Sequence, residues 1–210
     1  MKAYFVKTPK IVRSFYKNYT WFFKTNKKEI YLTFDDGPTE NVTQFVLDAL
    51  EKHQAKATFF CIGKNVENQP LLYQRIVKNG HTIGNHTYNH LNGWQTNAND
   101  YVNNVEKCAD AINSTFNNQK IFRPPYGRIK KYQAKQLIKK GYEIIMWSVL
   151  SGDFDTTISK EKCLKNVLDN TKKGSIIVFH DSIKAKQNIE YVLPKVLEYF
   201  SKKGYSFVAL

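Results

Sequence analysis

Cysteine is scarce in this 210-residue chain, and its three copies lie far apart in the sequence. Cys61, Cys108 and Cys163 form no CxxC pair, which excludes the common zinc-ribbon and dithiol redox motifs. Three thiols also cannot form a closed set of disulfides. We therefore expect reduced, partly buried cysteines.

Long apolar runs are absent as well. No stretch approaches the roughly 18 apolar residues that a membrane-spanning helix requires. Near the start of the chain the apolar patch covers only residues 3–6, which is too short for the core of a signal peptide. The sequence thus predicts no transmembrane segment and shows no export signal, a pattern that by itself favours the cytoplasm.

Acidic residues are few relative to basic ones, 18 against 32, so the formal net charge is +14. Most of the excess is lysine, and it is scattered along the chain without a compact basic block, an aromatic-basic repeat or zinc-finger spacing. This distribution favours a solvated basic surface that attracts polyanions in general, and no specific nucleic-acid site is expected. No pattern indicates an oligomeric state.

The overall composition is that of a globular protein, with 42% hydrophobic and 24% charged residues. The length suits one domain with a sizeable core, and no repeat, linker or low-complexity tract divides it. Residues 1–28 are mixed basic and aromatic, and we expect them to form an N-terminal arm that packs its aromatic side chains on the outside of the domain formed by residues 29–210. A membrane-surface patch is the alternative, because lysine and aromatic residues together suit an interface.

From Glu29 onward, strand patterns alternate with helix patterns. The helices are expected to start after Thr39 or Asn41, at Pro70, after Asn99 or Asp100 (with apolar residues as far as Phe116), and near residues 131, 160 and 189. Seven apolar runs are typical of buried strands: residues 30–34, 57–62, 82–84, 121–122, 142–149, 175–179 and 205–210. The alternation predicts an α/β fold of parallel βα units, and we favour a barrel over an open sheet.

Reactive side chains follow the ends of these predicted strands. They are Asp35 and Asp36 after the first strand, His86 and His90 after the third, Arg123 at the fourth, Asp153 past the fifth and His180 at the sixth. In a barrel of parallel strands the C-terminal ends share one face, where active sites lie. The sequence therefore predicts that these side chains meet in one site.

The pair Asp35–Asp36 ends an apolar strand immediately before Gly37-Pro38. Adjacent side chains on an extended segment point to different sides, so one carboxylate could hold a metal while the other handles a proton. A polar turn after a buried strand is the alternative interpretation.

His86 and His90 are four residues apart, and on a helical turn they would face the same way. Two histidines and one carboxylate form a common catalytic zinc shell, with Asp35 or Asp36 as the third ligand. A polar loop or a core histidine is the simpler alternative. His81 and His53 are expected outside the site.

Arg123 begins Arg-Pro-Pro-Tyr-Gly, where Pro124 and Pro125 stiffen the chain. Its guanidinium could keep ionised whichever of the two aspartates does not bind the metal. The amide of Tyr126 could donate to an oxyanion. His180 at a strand tip is a candidate acid for a leaving amine. The alternatives are a rigid turn with a surface arginine and a structural histidine.

Together these motifs resemble carbohydrate esterase family 4, the polysaccharide deacetylases that include chitin and peptidoglycan deacetylases. The resemblance runs from about residue 29 to the C-terminus. It implies a distorted (β/α)7 barrel, and the roles that follow: Asp35 as base, Asp36, His86 and His90 as ligands of Zn²⁺ or of another divalent ion such as Co²⁺ or Ni²⁺, Arg123 as the partner of the base, and His180 as acid. Tyr126, Pro124, Phe154 and Val178 are then expected along the substrate groove.

The chain departs from the family at Leu150 and Phe154, where an aspartate and a tryptophan are usual. The missing aspartate would tune the acid His180, and Asp153 or Asp155 could take its place. The resemblance implies hydrolysis of N-acetyl groups on a glycan such as peptidoglycan or chitin-like oligomers, which would place the protein at the cell envelope. An O-acetyl esterase, a small-amide hydrolase and a non-catalytic glycan-binding module are the alternatives.

Overall fold

The computed structural model describes residues 4–112 and 120–210, and in them strands and helices alternate along the chain. The strands are β1 (Glu29–Asp35), β2 (Ala57–Cys61), β3 (Thr82–Asn85), β4 (Ile121–Phe122), β5 (Glu143–Ile144), β6 (Val149–Leu150), β7 (Ile176–His180) and β8 (Ser206–Phe207). The helices are α1 (Lys10–Phe15), α2 (Val42–Lys52), α3 (Gly63–Asn68), α4 (Pro70–Lys78), α5 (Ala98–Ala111), α6 (Lys131–Lys139), α7 (Lys160–Asn170) and α8 (Lys186–Lys202). Among the described residues, no helix is long and apolar enough to span a membrane.

The strands form one parallel sheet in the order β5-β4-β3-β2-β1-β7-β6, and β8 pairs with β1 at its start. β5 and β6 follow each other in sequence but lie at opposite ends of this order. The short segment between them therefore runs from one end of the sheet to the other, and the sheet curls into a barrel with flanking helices. The predicted α/β fold of mostly parallel strands is confirmed.

One predicted strand is divided in two. Residues 142–149 were expected to be continuous, but β5 pairs with β4 and β6 pairs with β7. The amide of Ile145 still donates to Phe122 O, whereas the amide of Ser148 donates to Ile176 O. The segment changes partner strands within a few residues, so no uniform ladder can continue along it.

One helix start differs from the prediction, and another lies where it was expected but lacks the expected side-chain cap. α5 begins after Asn97, whose side-chain oxygen accepts from the amide of Asp100, so Asn99 and Asp100 lie inside the helix. Asn41 precedes α2 with a left-handed φ of 64°, and its side chain makes no capping hydrogen bond. Several polar residues stood near each start, and local spacing did not select among them. Phe116, expected on the same helix as Val102, lies outside the described residues.

The core lies between the sheet and its helices. All five residues of β2 are buried, as are the first four of β7, which is the pattern of strands covered on both faces. α8 packs its apolar face on this sheet through Ile189, Val192, Leu193, Val196 and Leu197, all fully buried. Burial of such side chains stabilises the fold by about 1.5–3 kcal/mol each. The three cysteines are buried thiols, as expected.

The N-terminal arm covers the two ends of the sheet. Lys7 bridges Val149 in β6, and Thr20 bridges Ile145 next to β5. Edge strands left open invite pairing with other chains, so the arm protects both of them. Five aromatic side chains of the arm also line a cavity at the C-terminal ends of the strands: Tyr4, Phe5, Tyr16, Tyr19 and Trp21.

Candidate active site

A cavity of about 820 Å³ opens at the C-terminal ends of the strands. Most of the residues expected in the site line it: Asp35, Asp36, His86, His90, Pro124, Tyr126, Phe154, Val178 and His180. Arg123 and Asp153 lie behind this lining as fully buried side chains. The parallel sheet thus brings together residues that are up to 145 positions apart in sequence.

The turn after β1 separates the two aspartates. Asp35 ends the strand and is 4% exposed, whereas Asp36 has a φ of 84°. The amide of Gly37 donates to Asp181 Oδ1 at 3.0 Å. A Cβ on Gly37 would lie 1.9 Å from Asp181 Oδ2, so only glycine fits beside this carboxylate. Sequence reasoning gave Asp181 no role, and its position directly after His180 was the one available signal.

Asp36, His86 and His90 present their ligand atoms within 4.8 Å of one another. Asp36 Oδ1 lies 3.1 Å from His90 Nε2 and 3.7 Å from His86 Nε2, yet this buried oxygen has no hydrogen bond. His86 Nδ1 lies 2.8 Å from Arg123 O and can donate to it, which leaves the lone pair of Nε2 directed at the carboxylate. A buried carboxylate oxygen without a hydrogen bond, facing two imidazole nitrogens, fits a His₂Asp metal site.

The electrostatics of these three residues also suit metal ligands. Burial opposes ionisation of Asp36, but contact with His90 and the charge of His180 outweigh it and hold the pKa of Asp36 below its usual range. Burial lowers the pKa of His86 to about 4, which favours the neutral imidazole that binds metals.

The histidine pair does not lie on a helical turn, so that part of the prediction was wrong. Residues 86–90 form a loop in which Thr87 and His90 have positive φ values of 65° and 56°. Two asparagines hold the loop: Asn85 Oδ1 accepts from the amide of Thr87, and Asn104 Oδ1 accepts from the amides of residues 88 and 89. The histidines meet because side chains from β3 and α5 shape the loop, and the four-residue spacing carried no sign of these partners.

Arg123 is fully buried and holds Asp35. Its Nη1 donates to Asp35 Oδ1 at 2.7 Å and to Thr33 Oγ1 at 2.6 Å. Nε and Nη2 donate to the carbonyl groups of Ile145 and Met146. One guanidinium thus joins β1, β4 and the segment that closes the barrel, and it fixes the carboxylate at the tip of β1.

Tyr126 forms part of the cavity wall next to His90. It lies in the 3₁₀ turn Pro125–Gly127 with a left-handed φ of 60°, and its side chain is 60% exposed. Its hydroxyl lies 3.1 Å from His90 Nδ1, and the two rings meet edge to face. The donation of its amide to an oxyanion stays a prediction.

Asp153 is the partner of His180. Asp153 Oδ1 lies 2.8 Å from His180 Nδ1, and Oδ2 accepts from the amide of His180 at 2.7 Å. Burial opposes protonation of this histidine, but the charge and hydrogen bond of Asp153 outweigh it and raise the pKa of His180 to about 9. Of the two carboxylates that could replace the aspartate missing at Leu150, Asp153 therefore makes the contact with His180. Asp155 accepts instead from Tyr4 Oη and from Thr157.

The two remaining histidines that were set aside lie elsewhere. His81 is buried and accepts from the amide of Ala57 through Nδ1 at 3.2 Å. His53 is the residue that follows α2. Neither lines the cavity.

The family model described as polysaccharide deacetylase matches residues 23–145, more than half of the chain. The chain belongs to the polysaccharide deacetylase family. A peptidoglycan-N-acetylglucosamine deacetylase of Bacillus cereus is 38% identical over 88% of this chain and 68% of its own length. The crystal structure of the Bc1960 peptidoglycan N-acetylglucosamine deacetylase has a TM-score of 0.87 at 36% identity and covers 97% of this chain and 95% of that one.

The resemblance to carbohydrate esterase family 4 and the distorted (β/α)7 barrel that it implied are confirmed. One structural neighbour, from Bacillus anthracis, is named a CE4 family pseudoenzyme. Its TM-score is 0.77 at 25% identity, and the match covers 89% of this chain and 65% of the neighbour. Membership therefore supports a glycan deacetylase, and the residues of the site must carry the argument for activity.

Proposed function

We propose that this protein is a metal-dependent hydrolase that removes N-acetyl groups from N-acetylglucosamine units of peptidoglycan or of chitin-like oligomers. The observation that supports it most is the placement of two acid–base pairs around one candidate metal site. Arg123 holds Asp35 on one side, and Asp153 holds His180 on the other. Asp36, His86 and His90 lie between them in the same cavity.

Asp36, His86 and His90 would hold the metal, and the oxygen of Asp36 without a hydrogen bond is the sign that they fit one. Zn²⁺, Co²⁺ and Ni²⁺ all suit two imidazoles and a carboxylate. Such an ion polarises a carbonyl and lowers the pKa of water.

Asp35 is the proposed general base. Its carboxylate is buried, ends β1 and accepts a hydrogen bond from Arg123, so it is held in one orientation. It takes a proton from the attacking water as the new C–O bond forms. The amide of Tyr126 is the proposed donor to the developing oxyanion.

His180 is the proposed general acid. With its pKa raised to about 9 it is protonated at neutral pH, and its Nδ1 is engaged by Asp153, so Nε2 carries the proton to be delivered. As the C–N bond breaks, this proton goes to the leaving nitrogen, and the products are acetate and a free amine. Pro124, Phe154 and Val178 offer apolar surface for the acetyl methyl group and the sugar.

The test is acetate release from N-acetylglucosamine oligomers by metal-stripped protein, with and without added Zn²⁺, Co²⁺ or Ni²⁺. We expect release only with metal, at one ion bound per chain. Asp35→Asn should reduce turnover by at least about 10²-fold, the contribution of a positioned base, and leave metal stoichiometry unchanged. Asp48→Asn, on the exposed side of α2, is the matched control and should keep full activity.

Three results would contradict the proposal. Release from O-acetyl esters alone would indicate an esterase, and metal binding without any release would indicate an inactive glycan-binding module. No metal binding would overturn the assignment of Asp36, His86 and His90. Because the proposed substrates are envelope glycans, we also propose that the protein acts at the cell envelope, which fractionation of the native protein tests.

A further inference from the structure

We propose that the N-terminal arm forms a second sugar-binding subsite, continuous with the active-site cavity, that binds the neighbouring unit of a glycan strand. This inference rests on the proposed function. The match to the family model begins at residue 23, so most of the arm lies outside it.

The cavity itself extends from the reactive residues to the arm. Tyr4, Phe5, Tyr16 and Tyr19 line the same cavity as Asp35 and His180, together with other residues. Its volume of about 820 Å³ lies in the upper part of the range of about 300–1,000 Å³ that drug-sized ligands occupy. One sugar unit is smaller than such ligands, so the cavity has room beyond a single acetylated ring.

The walls of this extension carry exposed aromatic rings. Phe5 is 66% exposed and Tyr16 is 39% exposed on the arm, while Trp94 is 58% exposed on the loop before α5. All three line the cavity. Exposed aromatic faces are large apolar surfaces, and the C–H faces of a sugar ring can pack on them. Their collection beside a deacetylase site indicates a carbohydrate ligand.

The arm is held in place before any ligand binds. Leu150 N donates to Val6 O at 2.8 Å, and Thr8 N donates to Ser148 O at 3.1 Å, so the residues on both sides of Lys7 are bonded to β6 or next to it. Trp21 Nε1 donates to Tyr16 O at 3.1 Å and fixes the chain after α1. A wall that is already ordered costs little conformational entropy when a sugar binds.

The start of the arm also contacts the region of the proposed acid. The ring of Tyr4 lies 5.2 Å from that of Phe154, and Phe154 lies 5.0 Å from the ring of His180. The hydroxyl of Tyr4 donates to Asp155 Oδ2 at 3.1 Å. The start of the arm therefore lies close to the proposed acid, so the subsite adjoins the part of the cavity in which the acetylated unit would bind.

Charge indicates what kind of strand binds. Residues 1–28 contain eight of the chain's 32 basic residues and none of its 18 acidic ones, so they carry +8 of the net charge of +14. Arg128 and Lys184 add positive charge to the cavity lining. Such a field attracts anionic ligands over about a Debye length, and it favours a glycan strand that carries carboxylates.

The test compares the double variant Phe5→Ala/Tyr16→Ala with the parent on oligomers of increasing length. We expect kcat/KM of the parent to rise with chain length. The kcat/KM of the double variant should fall at least about fivefold on long oligomers and less than about twofold on the shortest, because only long oligomers reach the two aromatic rings. Phe15→Ala is the matched control, because Phe15 is an arm residue that is 78% exposed and does not line the cavity. It should behave like the parent on all lengths.

Binding separates this proposal from the proposed function. Calorimetry with Asp35→Asn measures oligomer affinity without turnover. Adding Phe5→Ala/Tyr16→Ala to that variant should lower the affinity for long oligomers and leave the affinity for short ones nearly unchanged. Equal loss on short and long oligomers, or no loss at all, would overturn the subsite even if the parent releases acetate. Selective loss of binding would support the subsite even if acetate release is never detected.

Salt tests the part of the proposal that concerns charge. Between 50 and 500 mM NaCl, roughly a threefold change in Debye length, affinity for a carboxylate-bearing glycan strand should fall more than affinity for a neutral oligomer of equal length. An equal response of the two would show that the arm binds the sugar rings alone, and it would overturn the preference for an acidic strand.

Discussion

Replacing Asp153 with Asn is expected to lower the upper pH limit of activity. Asp153 is fully buried, and its two carboxylate oxygens engage the ring and the amide of His180. Asn has the same shape but no charge, and only its carbonyl oxygen can accept a hydrogen bond, whereas both oxygens of Asp153 engage His180. The substitution therefore removes the interactions that outweigh burial and raise the pKa of His180.

The size of the effect follows from that pKa. With Asp153 the pKa of His180 is raised from 6.5 to about 9, a difference of about 3 kcal/mol between its protonation states. At pH 8, about 90% of His180 is then protonated; if the pKa returns to its ordinary value, only about 3% is. Turnover that needs the protonated acid should fall by about 30-fold at pH 8 and by far less below pH 6.

The assay is kcat/KM for acetate release between pH 5 and pH 10. We expect the alkaline limb of the Asp153→Asn profile to lie at least two pH units below that of the parent, and NMR titration of the histidine ring protons should show the same change. Asp48→Asn is the control, because Asp48 lies on the exposed side of α2 and pairs with Arg75. An unchanged alkaline limb in Asp153→Asn would refute the assignment of His180 as the acid that Asp153 tunes.

Stability gives a second measure of the same pair. Because the folded-state pKa of His180 is raised, the pair stabilises the fold fully below about pH 6.5, and that contribution is lost as the pH rises through about 9. The deficit in the free energy of unfolding of Asp153→Asn should therefore be larger at pH 6 than at pH 10. A deficit that grows with pH would contradict the sign of this argument.

Two further substitutions test the frame of the site. Arg123→Lys should lower Tm by roughly 5–10 °C in a thermal melt. An ammonium cannot reach all four acceptors of the guanidinium, and each buried acceptor left unpaired costs about 1–3 kcal/mol. An unchanged Tm would contradict this reasoning. Gly37→Ala should lower acetate release at least tenfold, because its Cβ would displace the Asp181 carboxylate and shift the turn that carries Asp36. Wild-type activity in this variant would show that the turn tolerates the displacement.

The fold was largely predictable because its signals are local. Apolar runs bounded by glycine and proline marked most of the strands, and their alternation with helix patterns indicated parallel pairing. The prediction failed at residues 142–149, where the chain changes partner strands, because the partner of a strand is a property of the whole sheet. It also omitted α3, a short helix with few apolar residues.

The candidate site was predictable as a set of residues and less so as a geometry. The rule that parallel strands end on one face placed Asp35, Asp36 and His180 together without any knowledge of distance. The helical turn assumed for His86 and His90 was wrong, because the two asparagines that hold the loop come from β3 and α5. The role of Asp153 was one of two alternatives until its distance to His180 distinguished it from Asp155.

The sequence by itself determined the family, the parallel α/β architecture and the residues that gather at one end of the barrel. The architecture follows from local apolar patterns and their alternation, whereas the family follows from the resemblance of the ordered motifs. Only the tertiary structure decided which carboxylate pairs with His180, which side chains shape the histidine loop, and which aromatic side chains of the N-terminal arm line the cavity. Those outcomes depend on contacts between separate elements of the fold, where burial and hydrogen bonding select among partners that look equivalent along the chain.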